Sequence, residues 1–139
     1  MFSTLCFAAA LACAAPADVK PTPAQEKHAA TCAACARACT DCQTACDGCS
    51  RHCATKVLGG SMEHHAVMEM CIGCADACRF TSSFAARHNP MICHAGECCM
   101  KCCADAAAAC EKYPDDKSMA ECAKACRECE RACKAMATK

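Results

Sequence analysis

Between residues 32 and 53 the positions destined for a helix's buried face recur in steps of three and four. Every one of them is a cysteine: Cys32, Cys35, Cys39, Cys42, Cys46, Cys49 and Cys53. Steps of three and four keep side chains on one side of an α-helix. The segment therefore predicts a long helix whose buried stripe carries thiols where leucine is usual. His28, four residues before Cys32, extends the same stripe.

The same period predicts three more helices. The second stripe runs through His64, Val67, Cys71, Cys74, Cys78, Thr81 and Ala85. The third runs through Ile92, Gly96, Cys99, Cys103, Ala106 and Cys110, with Cys98 and Cys102 beside it. The fourth runs through Met119, Cys122, Cys126, Cys129, Cys133 and Met136. Punctuation agrees with this division. Thr22-Pro23 offers a cap and a first-turn proline, Gly59-Gly60-Ser61 and Asn89-Pro90 break and restart the chain, and Tyr113-Pro114-Asp115-Asp116 is a turn. The predicted helices cover about 24–58, 62–88, 90–112 and 117–137. Short links between four helices imply an all-α, antiparallel up-down-up-down four-helix bundle with a cysteine-lined core, over residues 24–137. No alternating β-branched run predicts a strand.

Residues 16–23 are a polar, proline-rich linker. Before it, residues 2–15 are apolar and uncharged, and Ala12-Cys13-Ala14 is a small-x-small cleavage pattern. Residues 1–15 are expected to be a signal peptide and the protein to be exported to the periplasm. A lipoprotein or a chain kept in the cytoplasm are the alternatives. The stretch is too short to span a bilayer, so no transmembrane segment is expected in the mature chain.

Composition changes the picture of the core. The chain has 139 residues and 22 cysteines. Beyond residue 15 its large aliphatic and aromatic residues are Val19, Leu58, Val57, Val67, Ile72, Ile92, Phe80 and Phe84, apart from methionine and Tyr113. That is too few for a helical domain of this size, since each buried one contributes only about 1.5–3 kcal/mol. The thiols must fill the core. A metal-free fold of moderate stability, strengthened by metal, is expected. Lys plus Arg equals Asp plus Glu, at 15 each, which leaves no electrostatic footprint for nucleic acid.

A disulfide scaffold is a weak reading, because bridges within one helix are strained and disulfide-rich domains are loop-rich. Metal fits better. Cysteines four apart lie about 5–6 Å from each other at Cβ, and two such sulfurs can turn to grip one ion. Cys35/Cys39, Cys42/Cys46, Cys49/Cys53, Cys74/Cys78, Cys98/Cys102, Cys99/Cys103, Cys122/Cys126 and Cys129/Cys133 have this spacing. Cu(I) is soft and accepts low coordination, whereas Zn²⁺ takes four tetrahedral ligands. Leaving out Cys6 and Cys13, twenty cysteines remain. As about five Zn(Cys)4 sites they would bury about ten negative charges, while one Cu(I) per thiolate would bury none. Multiple Cu(I) ions are the expected cargo, and a zinc or general thiolate buffer is the alternative. An enzyme is not expected, because the stripes carry no Asp or Glu and no Cys-x2-Cys accompanies a βαβ pattern.

The chain resembles the copper storage proteins. The resemblance is carried by the ladder Cys32–Cys53 with Arg51-His52-Cys53 at its end, by the spacing of Cys71, Cys74 and Cys78, and by the run ECAKACRECERAC from Glu121 to Cys133. It implies Cu(I) storage for delivery or detoxification, with a donor or acceptor it does not name, in a homo-oligomer. It implies as ligands Cys32, Cys35, Cys39, Cys42, Cys46, Cys49, Cys53, Cys71, Cys74, Cys78, Cys93, Cys98, Cys99, Cys102, Cys103, Cys110, Cys122, Cys126, Cys129 and Cys133. The adjacent pairs Cys98-Cys99 and Cys102-Cys103 are denser than the family pattern. The resemblance also implies loading through one end lined by His and Met. Up-down topology collects His52, Met62, His64, His65, Met68 and Met119 at one end. At the other, Phe80, Phe84 and Ile92 read as a plug, near His28, His88, Met91 and Met136.

Overall fold

The computed structural model describes residues 20–137. The export segment expected at 1–15 lies outside the described residues. Four α-helices follow one another: α1 (Pro23–Leu58), α2 (His65–Ala86), α3 (Ile92–Cys110) and α4 (Lys117–Ala137), with a single 3-10 turn at Met62–His64 before α2. Each helix packs on its two neighbours, α1 on α2 and α4, α3 on α2 and α4. Helices on opposite corners meet only through side chains at the centre, which is an antiparallel four-helix bundle.

The helix ends follow local chemistry. Thr22 and Gln25 form a capping box, each side chain taking the other's backbone N–H, at 2.7 and 3.3 Å, with Pro23 in the first turn. Gly59 closes α1, and Gly60 takes φ +97° to turn the chain. Ser61 makes no side-chain cap, and the chain re-enters helix through the 3-10 turn, so the regular helix begins at His65, not at 62. α2 stops at Ala86, two residues early, because His88 takes a left-handed backbone, φ +50°. Asn89 does not cap α3 directly. Its side-chain oxygen accepts from Met91 N–H at 2.9 Å and its carbonyl from Ile92 N–H at 3.0 Å, so Asn89-Pro90 forms a turn and α3 begins at Ile92. α3 ends at Cys110, short of 112, where Tyr113 N–H bonds back to the Cys110 carbonyl. Asp116 caps α4, its carboxylate accepting from the N–H groups of Ser118 and Met119 at 3.0 and 3.3 Å.

Sulfur fills the middle. All seven cysteines of α1 are buried, with Cys71, Cys74 and Cys78 of α2, Cys99, Cys103 and Cys110 of α3, and Cys122, Cys126, Cys129 and Cys133 of α4. Alanines 75, 85, 95, 106, 107 and 123, Val67, Ile92, Met119 and Met136 complete the core. Small side chains around long rows of thiols let the four helices approach closely. Thr81, buried at the end away from His64, is satisfied by donating to the Ala95 carbonyl at 3.1 Å. Outside, Arg79 clamps α2 to Asp47 of α1, with bonds of 2.8 and 2.9 Å. Arg127 of α4 does the same to Glu111 at the end of α3, at 2.8 Å through two nitrogens.

The aromatic plug does not form as expected. Ile92 is buried, but Phe84 is only half-buried and Phe80 is 55% exposed. Both rings stand off the line through Cys78, Thr81 and Ala85 and pack on each other at the surface, 4.4 Å between centroids.

Candidate metal centre

The buried thiols from Cys35 to Cys133 form one connected array. Cys35 and Cys39 each lie 3.8 Å from Cys133. Cys39 continues to Cys129 at 3.6 Å and to Cys99 at 4.0 Å. Cys78 links Cys99 at 3.7 Å to Cys103 at 4.0 Å. Cys42 then joins Cys126 at 3.7 Å, Cys74 at 3.9 Å and Cys103 at 4.0 Å. Cys46 reaches Cys126 at 3.5 Å and Cys122 at 3.7 Å. Cys71 bridges Cys122 and Cys110 at 3.9 and 3.8 Å, and Cys110 ends the run on Cys49 at 4.0 Å. Sulfur runs through the bundle without an intervening carbon layer.

The closest contacts cross between helices. Of the pairs four apart, Cys42/Cys46, Cys99/Cys103 and Cys129/Cys133 close to 4.0, 3.8 and 3.9 Å. The thiol–thiol contacts of 3.5–3.7 Å all join different helices. The close sulfur pairs expected within one helix are therefore one part of a wider set of close sulfurs. Four-thiol groups with all sulfurs within 4.8 Å of one another include Cys39/Cys99/Cys129/Cys133, Cys42/Cys74/Cys78/Cys103, Cys42/Cys46/Cys74/Cys126, Cys78/Cys99/Cys103/Cys129 and Cys49/Cys71/Cys110/Cys122. The last takes one cysteine from each helix. All cysteines from 32 to 133 are free thiols.

Crowding divides the thiols electrostatically. Cys71 is drawn down to about 5 because Cys110 and Cys122 hydrogen-bond to its sulfur. Cys35 falls to about 4, with Cys133 and then Cys39 as its donors. Two of these donors move the other way: Cys133 is pushed up, first by Cys129, and Cys122 is pushed up, first by Cys110. Cys53 is pushed up to about 12 by burial and then by the neighbouring charge of Cys49. The buried polar residues among those described are His64 and Thr81, so no buried Lys or Arg offsets thiolate charge. Only part of the array can ionise unless cations enter with the loss of protons.

Three cysteines of α3 stand apart. Cys98 is exposed, and Cys102 and Cys93 are half-buried. Cys102 packs on the core edge and is pushed up to about 11 by burial and then by Cys98. The Cys93 thiol points at the Met136 carbonyl, 3.7 Å away. The doubled pairs 98-99 and 102-103 thus split, with Cys99 and Cys103 inside and Cys98 and Cys102 outside.

The expected mouth divides likewise. Met119 is fully buried, His64 is 8% exposed, and Met68 is half-buried against the core. His65 is exposed, as is Met62. His52 Nε2 lies 2.7 Å from the Asp116 carboxylate. Burial opposes ionisation of Asp116, but the His52 imidazole and the Met119 and Ser118 N–H groups hold its carboxyl below the usual carboxylate range. His64 Nδ1 has no hydrogen-bond partner, and its nearest acid is Glu63 at 3.5 Å. The Tyr113 ring lies 4.8 Å from the His64 ring, and its hydroxyl donates to the Glu63 carbonyl at 3.2 Å. Tyr113 and Asp116 stand against His64 and His52, although their sequence context shows only a turn. Asp116, two residues before Ser118 at the start of a helix, carries the one local signal, that of a cap.

The family model for copper storage proteins matches residues 37–138. The chain belongs to the copper storage protein family. A solved structure of copper loading to a cytosolic copper storage protein from Streptomyces lividans, with five coppers, has a similar fold at a TM-score of 0.75. The two sequences are 24% identical, and the match covers 82% of this chain and 98% of that one. No curated protein matches the chain. The cytosolic relative overturns the expectation of export to the periplasm, which rested on residues 2–15 alone. No described helix is long and apolar enough to cross a membrane.

Proposed function

We propose that the protein stores many Cu(I) ions along its thiol array, for later delivery or for detoxification, in a binding role and not a catalytic one. Shared membership of the four-thiol groups carries this reading. Cys42 and Cys74 each serve two groups, as do Cys78, Cys99, Cys103 and Cys129. A single group suits a tetrahedral ion, whose Zn–S bonds of about 2.3 Å set sulfurs about 3.8 Å apart. Groups that share members cannot all be filled by isolated tetrahedral ions. They suit low-coordinate ions bridged by common thiolates, which is Cu(I) chemistry. One positive charge per thiolate also leaves the core neutral, where no buried cation is available.

The proposed ligands are first the buried cysteines of all four helices. Cys98, Cys102 and Cys93 are ligands of the margin, reached after the core. His64 and Met119 are the mouth's innermost ligands, with Met68 behind them and Met62, His65 and His52 at the rim. Association into homo-oligomers belongs to the same reading, supported by exposed Leu58, Met62, Ile72 and Phe80, and sedimentation of the reduced protein tests it.

The deciding experiment is an anaerobic Cu(I) titration of the reduced full chain against a chromophoric chelator, with native mass spectrometry of the product. Many ions per chain are expected. Saturation near one ion, or zinc held against excess Cu(I), would overturn the reading.

A further inference from the structure

The cysteine ladder has a second end, at Cys32. Cys32, the first rung, is fully buried, and its Sγ lies 3.5 Å from His28 Nε2, one turn earlier on α1. His28 is half-buried and faces the exposed His88, which comes from the turn between α2 and α3, with 6.4 Å between ring centroids. Both imidazoles line an open cavity of about 680 Å³, together with Pro21, Ala24, Gln25 and Ala29. A thiol, then an imidazole, then a second imidazole lead from the core to solvent.

The backbone at His88 points to the same place independently. Among the described residues it is the single non-glycine residue with positive φ, +50°. It occupies the position after α2 where the Asn89 N–H returns to the Phe84 carbonyl at 3.0 Å and the His88 N–H to the Ala85 carbonyl at 3.1 Å. Helices ending this way favour glycine there, because a side chain pays conformational energy in the left-handed region. A side chain kept in spite of that cost, and set opposite a second histidine, is a candidate for function.

We propose that Cys32, His28 and His88 form a solvent-facing Cu(I) site, a second port at the end of the bundle opposite His64. The proposal rests on the reading of the core as a Cu(I) store. The chemistry suits the ion, since Cu(I) accepts thiolate and imidazole at low coordination. Metal–imidazole bonds run about 2 Å, and a ring nitrogen sits about 1 Å from its centroid, so a linear bridge sets two rings about 6 Å apart. On binding, the Cys32 thiol releases its proton to water and forms a Cu–S bond. Copper remains Cu(I) and no electron moves. One thiolate and one Cu(I) sum to zero, and the imidazoles are neutral ligands. The ladder from Cys32 to Cys53 is about 30 Å long at 1.5 Å per residue. With a mouth at one end only, an ion bound at Cys32 must pass every other site. A port at Cys32 lets the store fill and empty from both ends.

The test uses the reduced full chain with ¹⁵N-labelled histidine, titrated anaerobically with Cu(I). The expected result is a shift of the His28 and His88 ring nitrogens during filling, and loss of the His88 shift in His28→Ala while most of the Cu(I) capacity remains. His88→Gly, which relieves the left-handed backbone and so keeps the fold, is expected to abolish the His28 shift or reduce it. Ring nitrogens that stay unmoved through full loading of a wild-type chain holding many ions would overturn the port alone. A wild-type chain that binds no more than one ion would overturn both the port and the store, and its lost capacity tells the two failures apart.

Discussion

Cys46 Sγ of α1 lies 3.5 Å from Cys126 Sγ of α4, the shortest thiol–thiol contact among the described residues, and both side chains are fully buried. Their α-carbons sit on different helices, so the contact exists only when the bundle has formed. Replacing both by alanine should lower Cu(I) capacity while leaving the helical spectrum intact. Removing two buried sulfurs leaves small voids, worth roughly 1 kcal/mol each in lost stability. Mass spectrometry of the loaded variant checks capacity, and thermal melting checks the fold. Full wild-type capacity in the double variant would place the ions elsewhere.

Copper should stabilise the fold strongly. A ligand that binds only the folded state at a hundred times its Kd adds about 2.7 kcal/mol, and several ions add more. In a domain of this size each kcal/mol raises Tm by about 3–6 °C. Loaded protein should therefore melt well above apo protein. Equal melting temperatures would mean that the metal is bound outside the cooperative core.

The metal-free protein should lose stability in alkali. Cys53 has its pKa raised from 9.0 to about 12, and Cys102 to about 11. A raised folded-state value means that the folded chain holds the proton more tightly than the unfolded chain. The stabilisation is complete below pH 9 and disappears as pH climbs from 9 towards 12. Urea unfolding of apo protein across that window should show a falling midpoint. The loaded form should resist the same rise, because its sulfurs have already exchanged protons for Cu(I).

The bundle was legible because its signal is a period. Steps of three and four placed Cys32 to Cys53 on one face, and the same steps placed Cys122 to Cys133 opposite them. The seam of α3 was legible in Cys99 and Cys103 and misleading in their neighbours. Cys98 and Cys102 carry the same residue type at the same spacing, but a one-residue offset turns them about 100° away and leaves Cys98 in solvent. The helix ends at Ala86 and Ile92 were less legible. Asn89-Pro90 reads as a cap and a first-turn proline, yet the Asn89 carbonyl and side chain close a local turn instead. Phe80 and Phe84 looked like a plug by chemistry, but their offset from Thr81 places them at the surface. Partnerships across the bundle, such as His52 with Asp116 or His64 with Tyr113, leave no mark in a linear pattern.

Asp116 should couple stability to loading. Its carboxylate caps α4 and also holds His52. Asp116→Ala removes the cap, at a cost of about 1 kcal/mol, and frees the His52 imidazole. The variant should melt lower than wild type in its apo form. It should also load Cu(I) at a changed rate with unchanged capacity, because no core sulfur is touched. Asp116→Asn, which keeps a capping oxygen but lacks the charge, should recover most of the stability and not the rate. Stopped-flow transfer from a Cu(I) chelate, run beside thermal melts, separates the two effects.

Loading through the His64 end makes a kinetic claim distinct from capacity. Met119 is fully buried, His64 keeps a ring nitrogen without a hydrogen bond, and Met68 packs against the core. A buried imidazole nitrogen without a hydrogen bond is costly, and a soft cation passing the site would bond to it instead. Replacing Met62, His64, Met68 and Met119 with residues of similar size that cannot ligate should slow uptake markedly. Final stoichiometry should stay close to wild type, because the thiols that hold the ions remain. Uptake as fast as wild type would show that this end is not the principal route, and a proportional loss of capacity would make these residues storage ligands instead of a gate.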